Sequence, residues 1–569
     1  MKKFIILLVI IVANNLFANR PKIGLVFSGG GARGISQIGA LKVLEEAGIF
    51  PDYIAGTSVG SIIGGLYAIG YSPVQIEEIM TSQNWPQMFI DKISIKNISI
   101  EEKEDFNKYI SEFPITQNRL NPPKGLVDGQ MISILLSRLT SPVLNIDNFD
   151  DFYIPFRCIA TDIETGETVV IKDGYLPDAL QASVSIPSIF KPVEIDNKTL
   201  VDGGMSRNLP IIDVIEMGAD IVIAIDTGSE LFGKDKLNSF LKIMQQSINF
   251  RGIEKSVQSR KLADLIISPE LDNYIITDFD KSAELIKIGE EATRKKYKDL
   301  LEIAKIQKRY SRKIKPIPNL EIDTLYINKI KYKGLKTVSK NLVIGKFKIN
   351  EKSLVTFDEL ENGIKRLYGS KYFTRVSYKL LPRNRGFDLK IRVEESLKRG
   401  LKFSLYYDQD TNSAIHLNTT VRNFLMEGTR LKVKGKISES PSFDISYFIH
   451  TGWKPGFGIT PYFRYQNYKV PVYGEKSLES KFNHHDTKIG FRFQTVYFHS
   501  MTFGIDFNYN ESHSRSILSS QDMSFDVKMN QHSIFFDYDT KDNTYFPKVG
   551  STVSLNYSDF RNVSTKNQE

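Results

Sequence analysis

At 569 residues the chain is too long for one hydrophobic core, so several domains are expected. Hydrophobic residues make up 41% and charged residues 25%, a balance that excludes a largely disordered chain. The net charge of +9 is modest for this length and comes largely from lysines spread along the sequence, which read as solvated helix faces, with a surface for anionic lipid or nucleic acid as the alternative.

The chain opens with Lys2 and Lys3, an apolar run from Phe4 to Ala13 and a small residue, Ala18, suited to cleavage. Residues 1–18 therefore read as a signal peptide, with an apolar run too short to span a bilayer. From residue 22, short apolar strands alternate with helical segments. Strand Ile23–Phe27, helix Gly34–Ala47, strand Tyr53–Thr57 and helix Ser61–Ile69 come first, and strands at 154–163, 199–201, 220–226 and 263–267 follow. This pattern predicts an α/β fold with a mainly parallel sheet over residues 19–320. A long helix over 282–310 closes it, and Lys315-Pro316-Ile317-Pro318 ends that helix. The one cysteine, Cys158, excludes an internal disulfide and reads as a small buried residue.

Residues 321–396 predict a small α+β domain: strand 326–332, helical segments within 338–345 and 357–368, then strands 373–380 and 386–394. From 397 to 569 the texture changes to strict alternation in segments of about ten residues. Leu431, Val433 and Ile437 alternate with Lys432, Lys434 and Lys436; Phe503, Ile505, Phe507 and Tyr509 alternate with Gly504, Asp506 and Asn508. Such aromatic-rich dyads behind a signal peptide predict an antiparallel transmembrane β-barrel, with a soluble sandwich as the alternative.

Chemistry concentrates at three places. Ser28-Gly29-Gly30-Gly31-Ala32-Arg33-Gly34 follows the first strand and opens a helix, where backbone N–H groups can face an anion. The anion is either a phosphate or the oxyanion of an acyl-transfer intermediate. A dinucleotide site needs an acidic residue at the end of the second strand; Asp52 precedes that strand, and no Walker lysine is present. The second strand ends instead in Gly56-Thr57-Ser58-Val59-Gly60, a G-x-S-x-G turn in which Gly56 and Gly60 allow the sharp bend that exposes a nucleophile. Such a turn usually works with a histidine, but all seven histidines lie beyond residue 400: His416, His450, His484, His485, His499, His513 and His532. A carboxylate must then take the Ser58 proton, and Asp202 in Val201-Asp202-Gly203-Gly204 is the best candidate. The histidines show no ligand spacing, His484-His485 reads as a loop pair, and neither a metal nor a cofactor is expected.

These motifs, with Ala182-Ser183-Val184-Ser185-Ile186-Pro187-Ser188-Ile189-Phe190 and Asn208-Leu209-Pro210, resemble the patatin-like phospholipases over residues 22 to about 310. The resemblance implies a Ser58–Asp202 dyad and an oxyanion hole formed by the loop Gly29, Gly30, Gly31, Ala32, Arg33 and Gly34. It implies acyl esters of glycerophospholipids as substrates. The rest of the chain resembles the type Vd autotransporters, which join such a hydrolase to one POTRA domain and an outer-membrane barrel; residues 321–396 match the POTRA. Asp539-Thr540-Lys541-Asp542-Asn543-Thr544-Tyr545-Phe546-Pro547-Lys548-Val549-Gly550 resembles a hairpin of the barrel family used in outer-membrane assembly and two-partner secretion. By this resemblance the hydrolase works at the cell surface or is secreted. Its partners are phospholipid, the outer membrane, periplasmic chaperones and the barrel assembly machinery, with no nucleic acid. Such barrels carry more strands than the roughly eight or nine segments that fit here, and Ser564-Thr565-Lys566-Asn567-Gln568-Glu569 reads as a polar tail without a closing strand. The expectation is thus an incomplete barrel. The competing function is a secretion or assembly pore whose N-terminal domain binds lipid without catalysis.

Overall fold

The computed structural model describes residues 20–308 and 324–568, apart from breaks of one to five residues. The signal peptide, the Lys315–Pro318 stop and His499 lie outside the described residues. The chain forms two compact units. The first holds residues up to Asp91 and 124–323, with 380–382; the second holds 92–123, 324–379 and 383–569.

In the first unit, the fully buried strand Ile23–Phe27 is central, as its unbroken apolar run requires. It pairs in parallel with Tyr53–Thr57 on one side and Ile221–Ile225 on the other. Leu265–Ile267 extends the parallel sheet at one edge and Phe156–Asp162 at the other. Beyond that the sheet turns antiparallel, through Thr168–Ile171, Lys198–Asp202 and Val193–Ile195. Helices Ser36–Glu46 and Val59–Ala68 bury Ile38, Leu41, Ile63 and Leu66 on this sheet. The helix expected over 282–310 is two helices, Ser282–Arg294 and Tyr297–Lys308, separated by a tightened turn in which Lys296 N donates to Thr293 O.

One junction sets the functional geometry. Thr168–Ile171 occupies one edge of Phe156–Asp162 over residues 158–161. Both Tyr53–Thr57 and Lys198–Asp202 must therefore share the other edge. They do so end to end: Thr57 lies opposite Ile159 and Asp202 opposite Ala160. A parallel strand arriving from one direction and an antiparallel strand from the other thus deliver Ser58 and Asp202 to the same point.

A four-stranded sheet, in the second unit except for the strand end at 380–382, runs in the order Ser353–Thr356, Thr324–Lys333, Phe387–Glu395, Phe373–Pro382. Helices Lys340–Phe347 and Phe357–Gly369 accompany it. The second helix starts at a capping box, Thr356 with Glu359, and buries Leu360, Ile364 and Leu367. Nine strands from Arg399–Asp408 to Thr552–Gln568 then form one antiparallel sheet in which each pairs with the next. The first four are 9 to 11 residues long and the last five 16 to 18.

The longer strands differ from the expected length because pairing continues past the apolar stretch: Met501–Leu518 alternates cleanly to Tyr509 and then carries Asn510 to Ser516. For the same reason His484 and His485 are not a loop pair but lie inside strand Leu478–Thr495. The polar segment 564–568 is likewise strand, with Gln568 opposite Ser524, and not a loose tail. Ser111–Thr116 pairs with the outer edge of Arg399–Asp408, and among the described residues the nine strands do not close on themselves. Ile489, Phe491, Phe503 and Ile534 are exposed on one face, while Asp506, Asn510 and Ser533 on the other are buried. A lipid-facing and a polar surface on one sheet are what a barrel wall requires. Among the described residues no helix is long and apolar enough to cross a membrane.

Two substitutions test these arrangements. A Cβ on Gly60 would lie 2.4 Å from Ser28 O and 2.7 Å from Phe27 O, both backbone atoms that cannot rotate away. Gly60→Ala is expected to destabilise the first unit by about 1–3 kcal/mol, read as a lowered denaturation midpoint. Phe491→Lys on the apolar face is expected to cost up to about 2–4 kcal/mol and reduce the membrane-inserted fraction, whereas Asn508→Lys on the polar face leaves it near native.

Candidate active site

Ser58 follows strand Tyr53–Thr57 directly and caps helix Val59–Ala68. Its backbone sits at φ 53°, ψ −131°, a strained conformation for a residue with a side chain. The turn is held from several sides. Ser58 N donates to Ser183 Oγ (2.8 Å), Ser183 Oγ donates to Ile159 O (2.6 Å), and Ser61 Oγ donates to Ser58 O (2.6 Å). Gly56 and Gly60 are both needed here: a Cβ on Gly56 would stand 2.6 Å from the backbone O of residue 60, and one on Gly60 2.4 Å from Ser28 O. The bend projects Ser58 Oγ from the end of the strand over a helix N-terminus, where negative charge is favoured.

The hydroxyl of Ser58 donates to Asp202 Oδ2 at 2.7 Å. The other carboxylate oxygen, Oδ1, accepts from Gly204 N at 2.7 Å, so the carboxylate orientation is fixed by the turn that follows it. Asp202 is also fixed through its backbone, with N donating to Ser185 O and O accepting from Thr161 Oγ1. Both side chains are buried, Ser58 at 6% and Asp202 at 8% exposure. Burial pushes the Asp202 carboxyl up to about 6, against the Ser58 and Gly204 hydrogen bonds that favour its ionised form.

The glycine loop lies against this pair. A Cβ on Gly29 would be 3.0 Å from Ser58 Cβ and 2.5 Å from Asn208 Oδ1. Gly31 has φ +58°, and a Cβ there would meet Ile276 O at 2.5 Å. The N–H groups of this loop are unequal. Gly29 N donates to Asn208 O (3.2 Å) and Ala32 N to Ile276 O (2.9 Å). Among the described hydrogen bonds, Gly30 and Gly31 N–H have no acceptor. Gly34 abuts Val59, the first residue of the helix after Ser58. The Arg33 guanidinium is buried and donates to Gly228 O (2.8 Å); burial lowers its pKa against the nearby carboxylates of Asp272 and Asp226.

The structure therefore brings Ser58, Asp202 and the glycine loop together and leaves the described histidines in the strands of the other unit. Cys158 is fully buried with its thiol pushed up to about 12 by burial. Asp52 accepts from Ile23 N at 2.9 Å at the far end of the first strand, away from the glycine loop. Two residues carry more of the geometry than sequence reasoning assigned them. Ser183 braces the Ser58 backbone, and Asn208 holds Gly29 from both sides, its Nδ2 donating to Gly29 O at 3.2 Å. Among the described residues no group of three or more His, Cys, Asp or Glu side chains is placed to hold a metal ion.

Comparison with known proteins matches three segments. Residues 25–215 match the patatin-like phospholipase model. Residues 325–396 match the POTRA model described as a surface antigen variable number repeat, and residues 387–569 match the OMP85 superfamily. Lysophospholipase NTE1 of Meyerozyma guilliermondii is 26% identical over 296 residues, covering 47% of this chain and 18% of that one. The chain spans only 15–18% of the length of such curated relatives. Among solved structures, BamA from Haemophilus ducreyi has 14% identity and a TM-score of 0.31, over 41% of this chain and 47% of that one. VipD from Legionella pneumophila has 17% identity and a TM-score of 0.26, over 50% and 67%. The chain joins a patatin-like phospholipase domain, a POTRA domain and an outer-membrane barrel domain of the OMP85 superfamily.

Proposed function

We propose that the first domain is a serine acyl hydrolase acting on phospholipid esters through a Ser58–Asp202 dyad, and that the barrel delivers it to the cell surface. The observation that carries the catalytic reading is the 2.7 Å hydrogen bond from Ser58 Oγ to a carboxylate whose pKa burial raises to about 6. A carboxylate near neutrality is a better proton acceptor than an ordinary aspartate yet is still ionised at pH 7.

Ser58 Oγ attacks the ester carbonyl carbon while its proton passes to Asp202 Oδ2. The oxyanion that forms is met by the Gly30 and Gly31 N–H groups, which have no acceptor among the described hydrogen bonds. Collapse breaks the ester C–O bond, and the departing alcohol, a lysophospholipid, takes the proton from Asp202. Water then attacks the acyl-serine, gives its proton to Asp202 and releases the fatty acid as Ser58 regains its hydrogen. The lysophospholipase name of the relatives from Meyerozyma guilliermondii and Candida glabrata agrees with an acyl ester substrate. The division we favour is hydrolase over 19–320, POTRA over 321–396 and barrel over 397–569, with chaperones and the barrel assembly machinery as partners in export.

Fatty-acid release from phospholipid vesicles by the full chain tests this. Ser58→Ala and Asp202→Asn are each expected to lower the rate by about 1000-fold or more. The native rate is expected to fall on the acid side as Asp202 protonates through about pH 6. Retained activity in either variant rejects the dyad, and no release by folded native protein favours the non-catalytic lipid-binding pore.

A raised carboxyl has a second consequence. Because the folded state binds the Asp202 proton more tightly than the unfolded chain, the fold loses stability as pH rises from the ordinary aspartate value of 3.8 to about 6. Asp202→Asn, although inactive, is therefore expected to melt at higher temperature than native protein at pH 8 and not at pH 4. Equal melting at both would show that ionised Asp202 carries no burial cost.

A further inference from the structure

Residues 92–123 lie in sequence between two stretches of the hydrolase domain, yet they belong to the barrel-bearing unit. The excursion leaves and rejoins the hydrolase at a fixed base, where the Asp91 carboxylate accepts from Gly129 N (2.8 Å) and Met131 N (2.9 Å). Within the second unit it is bound in three ways. First, Ser111–Thr116 adds a strand to the edge of the barrel sheet, with Phe113 opposite Leu401 and stacked 5.8 Å from Phe403. Second, Asn97 O lies so close to Gly369 that a Cβ there would be 1.9 Å away.

Third, the helix Ile100–Lys103 and its continuation set four carboxylates against cations on the polar face of the sheet and on the POTRA. Glu102, 5% exposed, pairs with Arg430 and lies 3.6 Å from Lys432 and 3.7 Å from Arg422. Asp105 meets Lys432 at 2.5 Å and Lys434 at 2.8 Å, Glu104 meets Lys434 at 2.9 Å, and Glu101 meets Lys346 at 2.7 Å. Burial works to raise the Glu102 carboxyl, but Arg430, Lys432 and Arg422 outweigh it and hold it well below the usual carboxylate range. Arg430, Lys432 and Lys434 alternate with Leu431 and Val433 along one strand, so the receptor is the polar face of the wall and the apolar face stays free for lipid.

We propose that residues 92–116 are a non-covalent anchor that keeps the hydrolase domain attached to the barrel-bearing unit after the chain is cut in the connection at 309–323. The chain passes between the two units at this excursion as well as at that connection. A single cut there severs one covalent link and leaves the excursion seated by edge-strand pairing and by buried ion pairs. Release of the hydrolase thus requires loss of the charge match and not proteolysis alone.

The test uses the full chain in detergent, with a C-terminal affinity tag on resin and a site-specific protease sequence inserted between Lys315 and Pro316. Detergent removes lipid as a bridge, and the assay needs no catalytic activity. After cleavage the native hydrolase fragment is expected to stay on the resin at physiological salt. In Glu102→Lys with Asp105→Lys it is expected to wash off. The neutral pair Glu102→Gln with Asp105→Asn, which preserves shape should the reversal fail to fold, is expected to elute at lower salt than native. Native fragment that washes off at physiological salt overturns the anchor, whatever the variants do. So does retention of either folded variant as complete as native.

Discussion

The hydrogen bond from Ser58 to Asp202 is the contact on which the proposed chemistry depends, and the sheet brings the two residues together. The strand Phe156–Asp162 offers a single edge on which Thr57 and Asp202 arrive from opposite directions, opposite the adjacent residues Ile159 and Ala160. Everything else at the site fixes this meeting point. Gly56 and Gly60 let the helix turn back across the first strand, Ser183 ties the Ser58 backbone to Ile159, and Gly204 orients the carboxylate. The antiparallel end of an otherwise parallel sheet is thus what brings Ser58 and Asp202 within hydrogen-bond reach.

That meeting point is a strained one. Ser58 holds a positive φ, and Asp202 is buried with a pKa near 6. Moving a carboxyl from 3.8 to about 6 corresponds to a cost on the order of 3 kcal/mol for holding it ionised in the fold. The surrounding sheet, with Phe27, Ile54, Phe156 and Ile223 fully buried, supplies the apolar burial that offsets such local costs.

The local parts of this site were readable in the sequence, and the non-local parts were not. Gly-x-Ser-x-Gly after an apolar run specifies a strand–turn–helix by short-range sterics, and the absence of an early histidine leaves a carboxylate by elimination. That Asp202 arrives on an antiparallel strand depends on which edge Thr168–Ile171 occupies, a pairing with no local signature. Ser183 and Asn208 stand in motifs that carried the resemblance, but their roles, bonds to backbone atoms of Ser58 and Gly29, depend on partners far away in the sequence. In the barrel, alternation at 501–509 announced the strand, but pairing on to Leu518 is held by hairpin register and polar cross-strand pairs, such as Ser512 with Asp486.

The excursion at 92–123 escaped sequence reading for a related reason. Ile100-Glu101-Glu102-Lys103-Glu104-Asp105 looks like an ordinary solvated helix face, and Arg430 to Lys434 look like the wet wall of a barrel. Each half is unremarkable because each charge alone would be hydrated. Only together do Glu102, Asp105, Arg430 and Lys432 become buried, and buried charges behave asymmetrically. The intact set adds little net stability over an apolar equivalent, yet removing one partner costs about 3–5 kcal/mol because the other is left uncompensated. A contact with that profile is poor glue for a core but a selective one for docking. It distinguishes its own partner sharply from any other segment, since a surface of four cations has no apolar route to satisfaction. The same asymmetry explains why the strand Ser111–Thr116 alone would be an insufficient anchor: backbone edge pairing accepts many sequences, whereas the Glu102–Arg430 and Asp105–Lys432 pairs accept one.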